Sequence, residues 1–160
     1  MKPQQVLFFA APVVVAGVVP ALITHWRVGG DGSATLIVIG GLLIAAGAVV
    51  LIDCYVRFVR KGGAPAPIAL AERLVVEGAY RYVRNPIYLA VLAAILGQAL
   101  VFANAALIAY FVTIALTLHF FVVGYEEPVL ARSFPDDYAA YRSSVRRWLP
   151  RLSPWRGEAD

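Results

Sequence analysis

The sequence predicts an all-α integral membrane protein with about four transmembrane segments, the last two of which form a tight helical hairpin. Two observations lead to this fold class. Of the 160 residues, 61% are hydrophobic and only 15% are charged, as in proteins embedded in lipid. The apolar residues also occur in long charge-free runs, separated by polar segments rich in Arg, Gly and Pro. The length predicts a single domain over residues 1–160.

The four apolar segments differ in their internal breaks. The first contains Pro12 and Pro20, which we expect to kink it or cap one end, because proline removes a backbone donor. In the second, Gly40, Gly41 and Gly47 permit close contact with a neighbouring helix. Only a break around Asn104 separates the third and fourth, which predicts the hairpin. The predicted segments are about 6–23, 35–56, 87–102 and 105–124.

Two polar segments carry most of the positive charge. Of the 14 Lys and Arg residues, six lie in a loop at residues 57–86 and six in a tail at residues 125–160. Loops rich in Lys and Arg stay on the cytoplasmic side, so we expect both segments and both termini there. The expected location is a bacterial inner membrane.

The tail contains a further helix pattern. Pro135 is suited to the first helical position, and the two aspartates after it favour the positive end of the helix dipole. The apolar side chains then predict an amphipathic interfacial helix that lies on the membrane surface or closes over the hairpin, and Pro150 ends it. Those side chains are Tyr138, Tyr141, Val145, Trp148 and Leu149.

Composition excludes several kinds of site. Cys54 is the single cysteine, so neither an intrachain disulfide nor a cysteine-based metal centre can form, and no metal site is expected. The excess of basic residues is interpreted as headgroup and orientation charges, so nucleic acid is not an expected partner. Membrane lipids are, while the sequence predicts no particular oligomeric state.

Two polar clusters at the same membrane boundary indicate a binding site. In the first, Asn85 and Pro86 form a helix-initiating pair, in which we expect Asn85 to cap the helix and Pro86 to occupy its first turn. A helix N-terminus binds anions. In the second, Glu126 and Glu127 repel each other and call for a cation, either a ligand or a nearby arginine. The alternatives are an orienting loop and two solvated acids at a helix end. Together the clusters suit a zwitterionic, amino-acid-like cofactor.

His119 lies about two turns before Glu126 in the fourth apolar segment. An ionisable side chain at membrane depth is a candidate functional residue. The alternative interpretation is a histidine hydrogen-bonded to a neighbouring helix.

The polar motifs occur in an order that resembles a known family. They are the segment from Leu74 to Tyr88 (LVVEGAYRYVRNPIY), the Glu126-Glu127 pair, and the spacing from Tyr138 to Arg147. This set is similar to the isoprenylcysteine carboxyl methyltransferases, especially bacterial-type members, and to the related phospholipid N-methyltransferases. The resemblance implies a membrane methyltransferase that uses S-adenosylmethionine.

The resemblance also implies functional residues. Expected catalytic residues are His119, Glu127 and Arg84. Expected cofactor contacts are Glu72, Arg73, Leu74, Val75, Gly78, Tyr80, Asn85, Pro86, Ile87, Tyr88 and Glu126. The acceptor would be a membrane-embedded lipophilic molecule, through a carboxylate or amine of a lipid or prenylated compound. Val122 stands where the carboxyl methyltransferases carry a substrate-binding arginine, so the resemblance specifies the methyl donor better than the acceptor.

Two other classes fit the composition. A sterol-reductase-like enzyme would share the C-terminal fold but use a nicotinamide cofactor, and its additional upstream helices are missing here. A non-catalytic membrane protein or transporter would ordinarily place a polar group deep within a span. Asp53, near a boundary, suits that role poorly.

Overall fold

In the part of the chain that the computed structural model describes, all regular secondary structure is helical, which confirms the all-α part of the predicted class. The described residues are 10–26, 33–60, 74 and 76–157, with the side chains of residues 58 and 59 excepted. The elements are α1 (Ala10–Thr24), α2 (Ala34–Arg60), a 3₁₀ turn (Gly78–Arg81), α3 (Pro86–Val101), α4 (Ala105–Ser133) and α5 (Pro135–Ser144).

Two helices are long and apolar enough to cross a membrane. The spanning stretches are 24 residues of α2, Ala34–Arg57, and 29 residues of α4, Ala105–Ser133. Only 11% of the most apolar window of each is buried, so their side chains face outward, as lipid-facing helices require. The helices α1 and α3 are apolar but shorter. Two candidate spans are therefore found, and the count of four remains a prediction.

Small residues bring α2 and α3 into close contact. A Cβ atom on Gly40 would lie 2.5 Å from the carbonyl oxygen of Gly97, and one on Gly47 would lie 2.6 Å from that of Ala90. Backbones that approach this closely gain van der Waals contact, which drives helix association in lipid. Gly41 was predicted to join this contact, but nothing lies within 4 Å of its Cβ position. It occupies a different face of α2.

The prolines of α1 leave backbone carbonyls without an intrahelical hydrogen bond, and side chains of neighbouring helices donate to them instead. Residues Val14–Val18 form a π turn, in which the Val19 N–H bonds to the Val14 carbonyl. Pro20 has no N–H, so the carbonyls of Val15 and Ala16 lose their usual intrahelical donor. Two side chains donate to them instead. They are the Tyr110 hydroxyl on α4, at 3.0 Å from Val15 O, and the Gln98 amide on α3, at 2.7 Å from Ala16 O.

The hairpin between α3 and α4 forms as predicted. Asn104 caps α4 with its side-chain oxygen, which accepts a hydrogen bond from Leu107 N at 3.2 Å. The helix continues to Ser133, past residue 124, where the fourth membrane segment is predicted to end. A π turn at Val122–Glu126 widens the helix immediately before Pro128, which relieves the crowding that a proline ring causes in a regular α-helix.

The predicted tail helix begins correctly at Pro135 but ends five residues early, at Ser144, where Val145 turns extended. Residues 145–155, which we name the strap, instead run across the start of α3. Three backbone hydrogen bonds hold the strap there, because the tertiary contacts override the local helical spacing. They are Arg84 N to Arg146 O at 3.0 Å, Arg151 N to Tyr82 O at 2.9 Å and Trp155 N to Arg81 O at 2.9 Å.

The apolar face of α5 is buried inside the protein. Tyr138 and Tyr141 are 2% and 4% exposed and pack with Val145 and Val76. Of the two predicted arrangements, these contacts fit a helix that closes over the protein. Its location at a membrane interface remains a prediction.

Candidate active site

Glu127 is the centre of a buried ion-pair network at the polar end of the hairpin. Its two oxygens accept a bidentate pair of hydrogen bonds from the Arg147 guanidinium, with Nε 2.6 Å from Oε1 and a terminal nitrogen 2.8 Å from Oε2. Arg84 donates to Oε1 at 2.8 Å and to the Tyr138 hydroxyl at 3.0 Å. The hydrogen bond that Arg147 donates to Glu127 raises the pKa of the Arg147 guanidinium. The predicted need of the acidic pair for cations is thus met, for Glu127, by two arginines of the chain itself.

Arg84 retains one unused donor. Its side chain is 10% exposed, and within the described residues its buried Nε atom has no hydrogen-bond partner. A buried donor without a partner costs about 1–3 kcal/mol. An acceptor group that reached this atom would recover that energy.

Glu126 has a different environment from its neighbour. It is also buried, but its carboxylate accepts a hydrogen bond from the Tyr88 hydroxyl at 3.0 Å and forms no ion pair with the described residues. A buried carboxylate is costly without a cation. The two arginines compensate the negative charge of Glu127, but they do not pair with Glu126. Glu126 is therefore the acid that remains available for a cationic ligand.

The start of α3 lies beside these acids. Asn85 occupies the cap position, but the prediction that it caps the helix is wrong, because its amide donates to Arg147 O at 3.2 Å and makes no cap hydrogen bond. Pro86 has no N–H, and the Asn85 side chain accepts no hydrogen bond from the N–H groups of Ile87 and Tyr88. The end of the helix that favours anions is consequently left without its usual cap.

Aromatic and apolar residues close the site from the side of α2. Ile87 is buried against Cys54, and Tyr80 and Tyr88 pack on the same cluster. Burial raises the pKa of Tyr80, with contributions from Cys54 and from the Glu126 carboxyl, so its hydroxyl stays protonated. Tyr141 donates to the Tyr80 carbonyl at 2.7 Å and ties the 3₁₀ turn to α5.

Gly78 occupies a position that suits only glycine. Its φ angle is +56°, a left-handed conformation that other L-residues rarely adopt. A Cβ here would also collide with the Asp53–Arg57 pair, in which Arg57 Nε donates to the carboxylate at 2.9 Å, as the four-residue spacing predicts. This pair, Gly78 and Arg81 line an open cleft.

His119 lies further along α4, and its Nδ1 accepts a hydrogen bond from Trp148 Nε1 at 3.2 Å. The partner is in the strap rather than on a neighbouring transmembrane helix. Because Trp148 directly follows Arg147, the strap connects His119 to the Glu127 network.

The predicted site residues fall into three groups. Most of those that are described converge around the start of α3 and the end of α4, and Leu74 lies apart, against the cluster of Tyr138 and Tyr141. Glu72, Arg73 and Val75 lie outside the described residues. Within the described residues, no group of metal-ligating side chains is present.

The partners that sequence reasoning missed are Arg147 and Trp148. Both were expected on the polar or apolar faces of a helix, whereas they extend from the strap. A usable signal was the adjacent acids Glu126 and Glu127, whose repulsion calls for a nearby arginine.

Comparison with known proteins identifies a family for this chain. A profile of the phospholipid methyltransferase family matches residues 35–137, well over half of the chain. The chain belongs to the phospholipid methyltransferase family. The region matched by this family begins in α2 and ends in the first turn of α5, so it contains both polar clusters but not the strap. No curated protein matches the chain.

Membership of the phospholipid methyltransferase family, together with the apolar helices, identifies a membrane methyltransferase. The expected resemblance to this group of enzymes is confirmed. Neither a nicotinamide-dependent reductase nor a transporter is the class that this family describes.

Proposed function

We propose that the protein transfers a methyl group from S-adenosylmethionine to a lipophilic acceptor in the membrane. The observation that carries the proposal is the pairing, at one end of the hairpin, of an anion-favouring helix start with a buried acid that forms no ion pair with the residues that the structure describes. Glu126 and the uncapped start of α3 provide these two features.

The residues fit the chemistry of this cofactor. Its amino-acid part carries a carboxylate and an ammonium, and its sulfonium carries a positive charge. The N–H groups of Ile87 and Tyr88 and the unpaired Arg84 Nε suit the carboxylate. Glu126 suits a cation, and aromatic rings such as Tyr88 favour a cation by about 0.5–2 kcal/mol. The predicted contacts Glu72, Arg73 and Val75 remain part of the proposal.

When bound, S-adenosylmethionine would supply an electrophilic methyl group on a good leaving group, so the protein's main contribution is orientation and exclusion of water. Arg84 and Glu127 hold the start of α3, the end of α4 and the strap in one arrangement, which orients the site. The outward apolar faces of α2 and α4 would let an acceptor enter from the bilayer. The acceptor is a lipid or prenylated molecule with a reactive carboxylate or amine.

A thermal-shift experiment on the detergent-solubilised protein tests this function. S-adenosylhomocysteine should raise the Tm, whereas NADPH should not. Glu126→Gln should weaken the binding of S-adenosylmethionine roughly ten-fold or more, because it removes the carboxylate charge from a buried site.

The matched control is Asp136→Asn, which neutralises an exposed acid in the first turn of α5. It should leave binding unchanged. A response to NADPH alone would point to the reductase class, and no response to either compound would contradict the proposed cofactor. Unchanged binding by Glu126→Gln would remove that residue from the site.

A further inference from the structure

The hydrogen bond between Trp148 and His119 fixes which imidazole nitrogen is free. Trp148 Nε1 lies 3.2 Å from His119 Nδ1, with ring centroids 6.2 Å apart. An indole N–H can only donate, so Nδ1 must be the accepting nitrogen. In the neutral ring the proton is therefore on Nε2, and the free edge of His119 is an N–H donor.

This constraint bears on the role of His119. A general base needs a lone pair directed at the proton it removes. The lone pair of neutral His119 is directed at Trp148 instead. His119 could act as a base at Nε2 only after the ring moved its proton to Nδ1, which would break the bond to Trp148 and leave two hydrogens facing each other.

The strap transmits this constraint to the candidate site. Trp148 follows Arg147. The Arg147 guanidinium donates hydrogen bonds to Glu127, and the Arg147 carbonyl accepts one from the Asn85 amide. The backbone of the strap is thus fixed on both the α3 and the α4 side, next to the residue that contacts His119. His119 itself is only half-buried, so the protein does not fully enclose its side chain.

We propose that Trp148 is a positioning residue that holds His119 as an Nε2–H donor, and that His119 binds an oxyanion of the methyl acceptor. This inference rests on the proposed methyl transfer. An ammonium offers no lone pair to an N–H donor, and a neutral amine needs its single lone pair to form the new bond. A carboxylate or phosphate oxygen has lone pairs to spare. The acceptor class is therefore a lipid with an oxyanion at or beside the reacting atom.

The first test is independent of activity. The full chain in detergent, with ¹⁵N-labelled imidazole rings, contains two histidines, and His25→Gln assigns the signals. In its neutral form, His119 should carry its proton on Nε2. Trp148→Phe should introduce a fraction protonated on Nδ1, while Trp155→Phe, which removes another tryptophan of the strap, should not. A wild-type His119 protonated on Nδ1 would overturn the proposal.

The second test measures transfer of labelled methyl from S-adenosylmethionine into a total membrane lipid extract. His119→Leu should lower the rate at limiting lipid roughly ten-fold, because one hydrogen bond to a charged group is lost. His119→Gln keeps an N–H donor at a similar place and should restore most of that loss. An equal loss in both variants would support a base and contradict the donor role. If wild-type protein methylates no lipid, the proposed function fails, and the tautomer is still decided by the first test.

Discussion

The contact between the Arg147 side chain and Glu127 holds the strap in place. Glu127 is 7% exposed, and two guanidinium groups compensate its charge. Removal of one partner from such a network leaves a buried charge partly uncompensated, which costs far more than an exposed ion pair is worth. The neighbouring Arg146 lies in the same strap, but its side chain is exposed, and its carbonyl accepts a hydrogen bond from Arg84 N.

We therefore expect Arg147→Met to lower the free energy of unfolding by roughly 2 kcal/mol, a fall in Tm of roughly 4–8 °C. Thermal unfolding in detergent measures this. Arg146→Met is the matched control and should change Tm by less than about 1 °C. Equal effects of the two variants would mean that the forked contact with Glu127 does not hold the strap.

At the scale of the elements, close contact between α2 and α3 sets the position of the site. Gly40 meets Gly97, and Gly47 meets Ala90, backbone against backbone. Through this contact α2 brings Cys54 and Asp53 next to the 3₁₀ turn and the start of α3. Contacts between helices also satisfy the backbone of α1. Gln98 and Tyr110 donate hydrogen bonds to its free carbonyls, which lipid cannot satisfy.

Gly40→Ala should destabilise the protein by roughly 1–3 kcal/mol, because its Cβ would press on the Gly97 carbonyl and the helices would have to separate. Gly41→Ala is the control. Nothing lies near its Cβ, and alanine has the higher helix propensity, so its stability should be equal or up to about 1 kcal/mol higher. Reversible unfolding in mixed micelles compares the two. A neutral Gly40→Ala would contradict the tight α2–α3 contact.

Not all helix ends were predictable at this scale. The start of α3 at Pro86 and the start of α5 at Pro135 follow from proline, which is tolerated only at a first turn. The continuation of α4 to Ser133 was not predictable, because a π turn cannot be recognised from apolar periodicity alone. The end of α5 was missed because hydrogen bonds to Arg84 and Tyr82, distant in sequence, compete with the helix.

For the whole molecule, the distribution of positive charge predicts that the candidate site faces the cytoplasm. The start of α3, the end of α4 and the strap all lie at the end of the hairpin opposite the α3–α4 link. The link itself has no charged residue from Phe102 to Asn104. The two ends should therefore lie on opposite sides of the membrane.

Cysteine labelling in intact cells tests this orientation. In a Cys54→Ser background, Ala103→Cys at the exposed link should react with an impermeant maleimide, whereas Leu149→Cys in the strap should react only after permeabilisation. Both positions are exposed, so reactivity reports sidedness rather than burial. The reverse pattern would place the candidate site outside.

The sequence by itself determined the fold class, the hairpin and the helix starts, because these depend on local properties such as apolar length, proline and charge. It also determined which residues form the polar clusters, and through them the family. The tertiary structure decided how the two glutamates divide their roles. Glu127 is compensated by Arg84 and Arg147, whereas among the described residues the polar partner of Glu126 is the Tyr88 hydroxyl. That difference depends on where the strap lies, and its position depends on contacts between residues far apart in the chain, which no local pattern encodes.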